Sequence, residues 1–135
     1  MVVDTSALVA ILLAEPERKA LIEAIEAADA RRMSVANLVE TSIVIEARHG
    51  AAGLRVLDRF LERAGIEFVA VDAEQGRLAR EAYSRFGKGR HRAALNFGDC
   101  FAYALSAALG EPLLFKGGDF AHTDAVAAPW TDAGK

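Results

Sequence analysis

The acidic residues Asp4, Glu40, Asp99 and Asp119 have the type and placement of ligands for a divalent cation. Asp4 ends an apolar run at the start of the chain, and Asp119 follows another after a short glycine turn. If both runs are parallel strands, these acids lie at the carboxyl edge of the sheet, where ligands gather. Carboxylate oxygens suit Mg²⁺ or Mn²⁺, and a cation held there can activate water and stabilise charge on a phosphodiester.

Glu40 is the most informative of these acids because it interrupts a mostly apolar helix face. On a helical wheel its neighbours include Ala36, Ile43 and Val44. A lone carboxylate on such a face loses hydration, which is costly unless a positive charge offsets it. Several carboxylates around one cavity also raise one another's pKa values unless a cation is bound. A shared cation site accounts for this placement.

Each acid also has a purely structural explanation, and the pattern alone leaves both open. Asp99 stands three positions after Asn96, where it can complete a helix capping box. Asp4 can be a turn residue at a strand end, and Asp119, beside two glycines, can be a turn former. Glu40 faces water if the phase of its helix differs from the one assumed.

Basic and hydroxyl side chains are predicted to contact nucleic acid near the acids. The segment 87–96 is predicted to be an irregular loop, and it carries Lys88, Arg90, His91 and Arg92. Together with Lys116, this loop is the expected place for phosphate contacts, the alternative being a solvated loop without a role. Thr5 and Ser6 can orient a ligand or a bound water, or simply cap the first helix.

The remaining pattern alternates strands with helices. Strands are predicted at 1–4, 31–34, 66–71 and 112–115, of which 66–71 is predicted to be buried. Helices are predicted at 7–13, 16–30, 35–48, 51–64, 72–86 and 97–109, with a break at Gly50. Such alternation predicts a mostly parallel sheet covered on both faces, a three-layer α/β/α sandwich. We expect a single domain, 1–135.

Composition narrows the class of protein. With 53% hydrophobic and 26% charged residues, the 135-residue chain has an ordinary globular composition. A net charge of −3 argues mildly against a nonspecific nucleic-acid binder. Cys100, the single cysteine, is predicted to be a small buried hydrophobe rather than a nucleophile. Without a signal peptide or an apolar stretch of spanning length, the sequence predicts a cytoplasmic protein and no membrane partner.

The motifs around the acids add a family resemblance. VDTSAL at 3–8 looks like the opening motif of PIN domains. NFGDCFAYA at 96–104 resembles the third acidic motif of the VapC-type toxins in that family, and LLFKGGDF at 113–120 looks like the closing motif. Glu40 stands where the family's second acid belongs. The resemblance covers nearly the whole chain, and the motifs occur in the family's order.

This resemblance implies a metal-dependent endoribonuclease, the toxin of a type II toxin–antitoxin system. Asp4 and Asp99 would ligate Mg²⁺ or Mn²⁺ directly, Glu40 would act directly or through water, and Asp119 would complete the catalytic set. Many relatives carry a further acid or Asn where this chain has Gly117 and Gly118, so we hypothesise a site for one cation.

The resemblance also implies partners. They are an RNA substrate, a cognate antitoxin, a second copy of the chain in a homodimer, and DNA only indirectly through the antitoxin. Helices 16–30 and 35–48 carry more apolar surface than one buried face needs, which agrees with a protein partner or with burial inside the domain.

Two other interpretations remain as alternatives. One is a phosphohydrolase of the haloacid dehalogenase type, but its motif needs Asp at position 6, where this chain has Ser6. The other is a non-catalytic PIN-fold module that acts mainly by binding an antitoxin in a DNA-bound regulatory complex.

Overall fold

A parallel sheet of four strands in the order β3-β2-β1-β4 forms the centre of the molecule. The computed structural model describes residues 1–130, so the last five residues of the predicted domain lie outside the described part. The strands are β1 (Val2–Val3), β2 (Arg32–Ser34), β3 (Glu67–Val69) and β4 (Leu113–Leu114). Each pairs in parallel with its neighbour, as the alternation of strands and helices predicted.

Helices cover both faces of this sheet and complete the three predicted layers. They are α1 (Thr5–Leu12), α2 (Arg18–Ala27), α3 (Val35–Arg63), α4 (Ala73–Phe86) and α5 (Phe97–Leu109), followed by a 3₁₀ turn (Phe120–His122). One apolar core, which includes Leu8, Leu21 and Leu57, packs α1, α2 and α3 together. The other, which includes Ala82 and Leu105, packs α4 and α5. Within residues 1–130, no helix is long and apolar enough to cross a membrane.

Local signals place the ends of α3, α4 and α5 close to their predicted positions, whereas α1 begins earlier than predicted and α2 is shorter than the predicted 16–30. Ser34 and Asp72 accept backbone N–H bonds at the starts of α3 and α4, and Asn96 does so at the start of α5. Gly110, in the left-handed region at φ 64°, ends α5. The predicted cap of α1 at Thr5 or Ser6 is wrong. Asp4 is the last extended residue, and its side chain accepts the N–H of Ser6.

Gly50 interrupts α3 where the sequence predicted two helices. Its backbone has φ 60° and ψ −156°, a region that is essentially restricted to glycine. The helical path therefore bends at Gly50, and both halves, 35–49 and 51–63, stay on the same side of the sheet through buried Ile45 and Leu57.

The third predicted strand is more exposed to solvent than expected. The segment 66–71 is predicted to be buried, but only Ile66 is buried, and Phe68 is 43% exposed. The reason is its place in the sheet, because β3 is the edge strand and pairs with β2 alone. Apolar, β-branched composition does not distinguish an edge strand from a central one.

Candidate metal centre

Asp4 lies at the centre of the carboxyl edge of the sheet. It follows β1, which has β2 on one side and β4 on the other. The side chain is 1% exposed, and its Oδ2 accepts the N–H of Ser6 at 2.9 Å. The second carboxylate oxygen, Oδ1, is buried and has no hydrogen-bond partner. A buried acceptor without a partner is costly, which marks Asp4 as a group prepared for a ligand.

The surroundings of Asp4 disfavour its charged form. Burial raises the pKa of Asp4 to about 7, and the hydrogen bonds from Ser6 oppose this only in part. The negative charges of Asp99 and Glu40 raise that pKa further. The carboxylate would be stabilised by a positive charge placed among these acids.

Asp99 projects from the first turn of α5 toward the same region. Its Oδ2 accepts the N–H of Asn96 at 3.0 Å, so the capping box predicted as a structural explanation is present. Burial raises the pKa of Asp99 to about 6, the bond from the Asn96 backbone lowers it, and the charges of Asp119 and Glu40 raise it. The electrostatic coupling brings Asp99 into one group with the other acids.

Glu40 reaches this group from α3. The side chain is half-buried, as are Ala36 and Val44 on the same face, whereas Ile43 is exposed. The predicted apolar face is therefore a boundary between core and surface. Glu40 Oε1 accepts a hydrogen bond from Asn37 Nδ2 at 3.3 Å, and its carboxylate lies directly against Gly98 of α5.

Asp119 completes the group at its rim. It is exposed, it stands before the 3₁₀ turn, and its side chain makes no capping bond there. Its charge nevertheless acts on Asp99. All the acids that the sequence singled out are thus neighbours, supplied by the segments that follow β1, β2 and β4 and by the start of α5.

The donor set fits a hard divalent cation, although the carboxylates are not drawn together around one point. Among residues 1–130, no three acidic, histidine or cysteine side chains are arranged as a finished cation site. Asp4 and Asp99 each turn one oxygen toward a backbone N–H instead. The unpartnered Oδ1 of Asp4 and the purely carboxylate character of the group match the preferences of Mg²⁺ and Mn²⁺.

The hydroxyl groups predicted as ligand contacts are used inside the protein. Thr5 is buried, and its Oγ1 donates a hydrogen bond to the backbone oxygen of Asn37 at 3.3 Å. Ser6 Oγ accepts the N–H of Lys116 at 3.0 Å. These bonds join α1 to α3 and to the segment after β4, which fixes the elements that carry the acids.

The predicted basic contacts fall into two groups. Lys88, Arg90 and Arg92 extend from the loop as exposed side chains, while His91 packs edge-on against Phe86. Lys116 is different, because its Nζ lies 2.8 Å from Glu15 Oε1 and 3.0 Å from Glu17 Oε2. These acids raise the pKa of Lys116 and compensate its charge.

Cys100 confirms the prediction of a structural role. It is 3% exposed on the core side of α5, and burial together with the charge of Asp99 raises the pKa of its thiol to about 11. The fraction of nucleophilic thiolate at neutral pH is therefore very small.

The exposed apolar side chains near the acids lie on α3 and α5. Val39 is 53% exposed and Ile43 is 64% exposed, next to Glu40 on α3. Phe97, two positions before Asp99, is 78% exposed and meets the ring of Phe101 edge to face. The surplus apolar surface predicted for the helix 35–48 is present on this side.

Two residues at the centre were missed by the sequence analysis. Asn37 is fully buried, and its side chain contacts Thr5, Glu40 and Gly98. The local signal was an amide one helical turn before an acid, which is too common to single out. Nothing in the sequence indicates the contact of Gly98 with Glu40.

Comparison with known proteins agrees with this architecture. Residues 1–126 match the PIN domain family. The chain is 56% identical to Ribonuclease VapC30 of Mycobacterium tuberculosis over 124 residues, which cover 92% of this chain and 95% of that protein.

Solved structures give the same fold at low identity. The crystal structure of Mycobacterium tuberculosis VapC20, described as a sarcin-ricin loop cleaving toxin, superposes with a TM-score of 0.76 at 19% identity and covers 95% of this chain and 98% of that one. The structure of VapBC2 from Rickettsia felis, bound to a DNA fragment from its promoter, superposes with a TM-score of 0.70 at 15% identity. The match covers 96% of this chain and 98% of that one.

Proposed function

The chain belongs to the PIN-domain family as a ribonuclease of the VapC type, the toxin of a toxin–antitoxin pair, and we propose that it hydrolyses RNA with a divalent cation held by Asp4, Glu40 and Asp99. The observation that carries the proposal is the buried carboxylate of Asp4, which has an unpartnered oxygen and lies within the field of the other acids. We assign the nuclease domain to 1–135 and its activity to the cytoplasm.

In this mechanism the protein supplies a group of neighbouring carboxylates at the carboxyl edge of the sheet. Asp4 and Asp99 are the direct ligands, and Glu40 acts directly or through a water. When bound, Mg²⁺ or Mn²⁺ supplies activation of water and neutralisation of charge on the phosphodiester. The residues that bury Asp4 shield it from bulk water, while exposed Asp119 borders the side from which RNA enters. We propose a site for one cation, since Gly117 and Gly118 offer no further ligand.

The basic loop would hold the RNA backbone. Lys88, Arg90 and Arg92 are exposed and follow one another just before the segment that carries Asp99. Contacts of this kind position the phosphates and carry little sequence information, so the choice of target comes from unpaired bases elsewhere on the RNA.

The partners are a cognate antitoxin and a second copy of the chain, with DNA reached only through the antitoxin. Exposed Val39, Ile43 and Phe97 support such an interface, because apolar groups gathered beside a functional site are typical of surfaces that bind proteins. Light scattering on the purified chain tests the homodimer. A dimer that an Ile43→Asp change dissociates would support it, and a monomeric parent protein would contradict it.

The decisive experiment is cleavage of a mixed pool of structured RNAs with Mg²⁺, Mn²⁺ or EDTA. Asp4→Asn and Asp99→Asn preserve side-chain size and remove the charge, and Asp58→Asn, an exposed acid on α3, is the matched control. We expect cleavage that needs the cation, that persists in the Asp58 variant and that disappears in the other two.

If the Asp4 and Asp99 variants cut RNA as well as the parent, the assigned site is wrong. If the parent cuts nothing with either cation, the catalytic proposal fails. The non-catalytic module that binds an antitoxin then replaces it.

A further inference from the structure

The contact between Glu40 and Gly98 is closer than any side chain at position 98 would permit. The nearest atoms that a Cβ on Gly98 would meet are all in the carboxyl group of Glu40, well inside the 3.0 Å that real Cβ atoms respect. Gly98 is buried in the first turn of α5, directly before Asp99. The missing side chain of Gly98 therefore creates the space that the Glu40 carboxylate occupies.

Asn37 also contacts this carboxylate, through its side-chain amide. Its Nδ2 lies 3.0 Å from the backbone oxygen of Gly98, 3.3 Å from Glu40 Oε1 and 3.4 Å from Thr5 Oγ1. Thr5 Oγ1 gives its proton to the Asn37 backbone, so all three of these neighbours act as acceptors toward the amide. This fixes which end of the amide faces them, because Oδ1 in that place would meet acceptors only.

Together these contacts join the elements that carry the acids. Asn37 and Glu40 belong to α3, Gly98 to α5 and Thr5 to α1. A long carboxylate side chain samples several rotamers, and it loses this conformational entropy when it becomes ordered around a ligand. The loss weakens binding. A carboxylate that is already held loses less conformational freedom when the ligand binds.

We propose that Asn37 and Gly98 are positioning residues, which act through Glu40 by holding its carboxylate beside Asp4 and Asp99 before a cation binds. This inference rests on the proposed function, since it assigns the cation to the same site. Asn37 supplies the directing hydrogen bond, and Gly98 supplies the space.

Gly98→Ala is the most direct test because the added methyl group would clash with the end of the flexible Glu40 side chain. The variant is expected to keep its fold and its thermal midpoint while the Glu40 carboxylate moves. Gly76→Ala is the matched control, since a Cβ on Gly76, also in a helix, meets nothing within 4 Å. The probe is Mn²⁺ alone, titrated calorimetrically into the full chain without RNA.

We expect Gly98→Ala to weaken Mn²⁺ binding by about tenfold to a hundredfold, the usual effect of removing a group that orients a ligand. Asn37→Ala should do the same, and Gly76→Ala should bind as the parent does. In a Glu40→Ala background, Gly98→Ala and Asn37→Ala should cause no further loss, because the carboxylate that they position is absent. A general disturbance of the fold would persist in that background.

The results separate this inference from the function on which it rests. If the parent binds Mn²⁺ and Glu40→Ala weakens it, but Gly98→Ala does not, the positioning role is wrong and the metal site stands. A loss from Gly98→Ala that is equally large without Glu40 also overturns the role. If the parent binds no Mn²⁺ and also cuts no RNA with either cation, the proposed function falls, and this inference falls with it. A parent that cuts RNA but binds no Mn²⁺ alone overturns only the positioning role.

Discussion

Asn96 and Asp99 cap each other across the first turn of α5. Asn96 Oδ1 accepts the N–H of Asp99 at 2.9 Å, and Asp99 Oδ2 accepts the N–H of Asn96 at 3.0 Å. Asp99 therefore serves the helix and the candidate metal centre with one carboxylate. The structural and functional explanations of this residue, which the sequence leaves as alternatives, are compatible, because the cap fixes the direction of the side chain.

Asp4 and Asp99 should make the cation-free protein less stable as the pH rises from about 5 to about 7, whereas the lowered pKa values of Glu111 and Asp124 act in the opposite direction mainly below this range. An unfolded aspartate has a pKa of 3.8, whereas those of Asp4 and Asp99 in the folded protein are about 7 and about 6. In this window the folded state binds more protons than the unfolded state, so raising the pH favours unfolding, and the effect levels off above the higher value. Thermal midpoints measured in EDTA from about pH 4.5 to about pH 8.5 test this.

Asp4→Asn is the informative variant in that series. It removes a buried charge, so we expect it to flatten the pH dependence and to raise the midpoint at about pH 8 by about 3 °C or more. Asp58→Asn should keep the slope of the parent. A parent midpoint that rises between about pH 5 and about pH 7 would show that the buried carboxylates do not behave as described.

Replacing Lys88, Arg90 and Arg92 with alanine should lower the affinity for RNA. It should also make that affinity less sensitive to the salt concentration. Removing one phosphate contact reduces the slope of log K against log salt by about 0.7 for single strands, so the triple variant should reduce it by about 2. Filter binding in EDTA at several salt concentrations measures this without cleavage. Lys116→Ala should leave the slope nearly unchanged, because Glu15 and Glu17 already compensate that charge. An equal reduction in both proteins would contradict the assignment.

Cys100 should resist alkylation in the folded protein. The thiol is buried, so iodoacetamide cannot reach it, and its pKa of about 11 leaves very little reactive thiolate at about pH 8. Mass spectrometry before and after denaturation gives the readout, and Cys100→Ala should retain RNA cleavage. Rapid labelling of the native protein would contradict this prediction, because it would mean that Cys100 on α5 becomes accessible to solvent.

Gly50→Ala should destabilise the protein by about 1–3 kcal/mol, since the backbone at the bend of α3 lies in a region closed to other residues. Chemical denaturation measures the free energy of unfolding. Gly76→Ala, within the regular helix α4, should instead be neutral or stabilise by up to about 1 kcal/mol. If both substitutions have the same effect, the bend at Gly50 is not a fixed feature.

The predictions from sequence succeeded where the determining signals are local. The bounds of α5 follow from Asn96 and Gly110, which sit at its two ends, and the acids stand out through the motifs that surround them. The exposure of β3 was missed because the order of strands in the sheet is set by distant parts of the chain. The role of Gly98 was missed for the same reason, since Asn37, which donates to its backbone oxygen, is 61 positions away.

The sheet has one covered edge and one open edge. Beyond β4, the backbone of Val126 and Ala128 bonds to Leu113, whereas beyond β3 no strand follows within residues 1–130. β3 is the strand whose following segment supplies no acid to the candidate centre. An additional strand could pair only at this open edge, away from the acids, and the shortness of β3 together with the charged pair of Glu67 and Arg32 opposes such pairing.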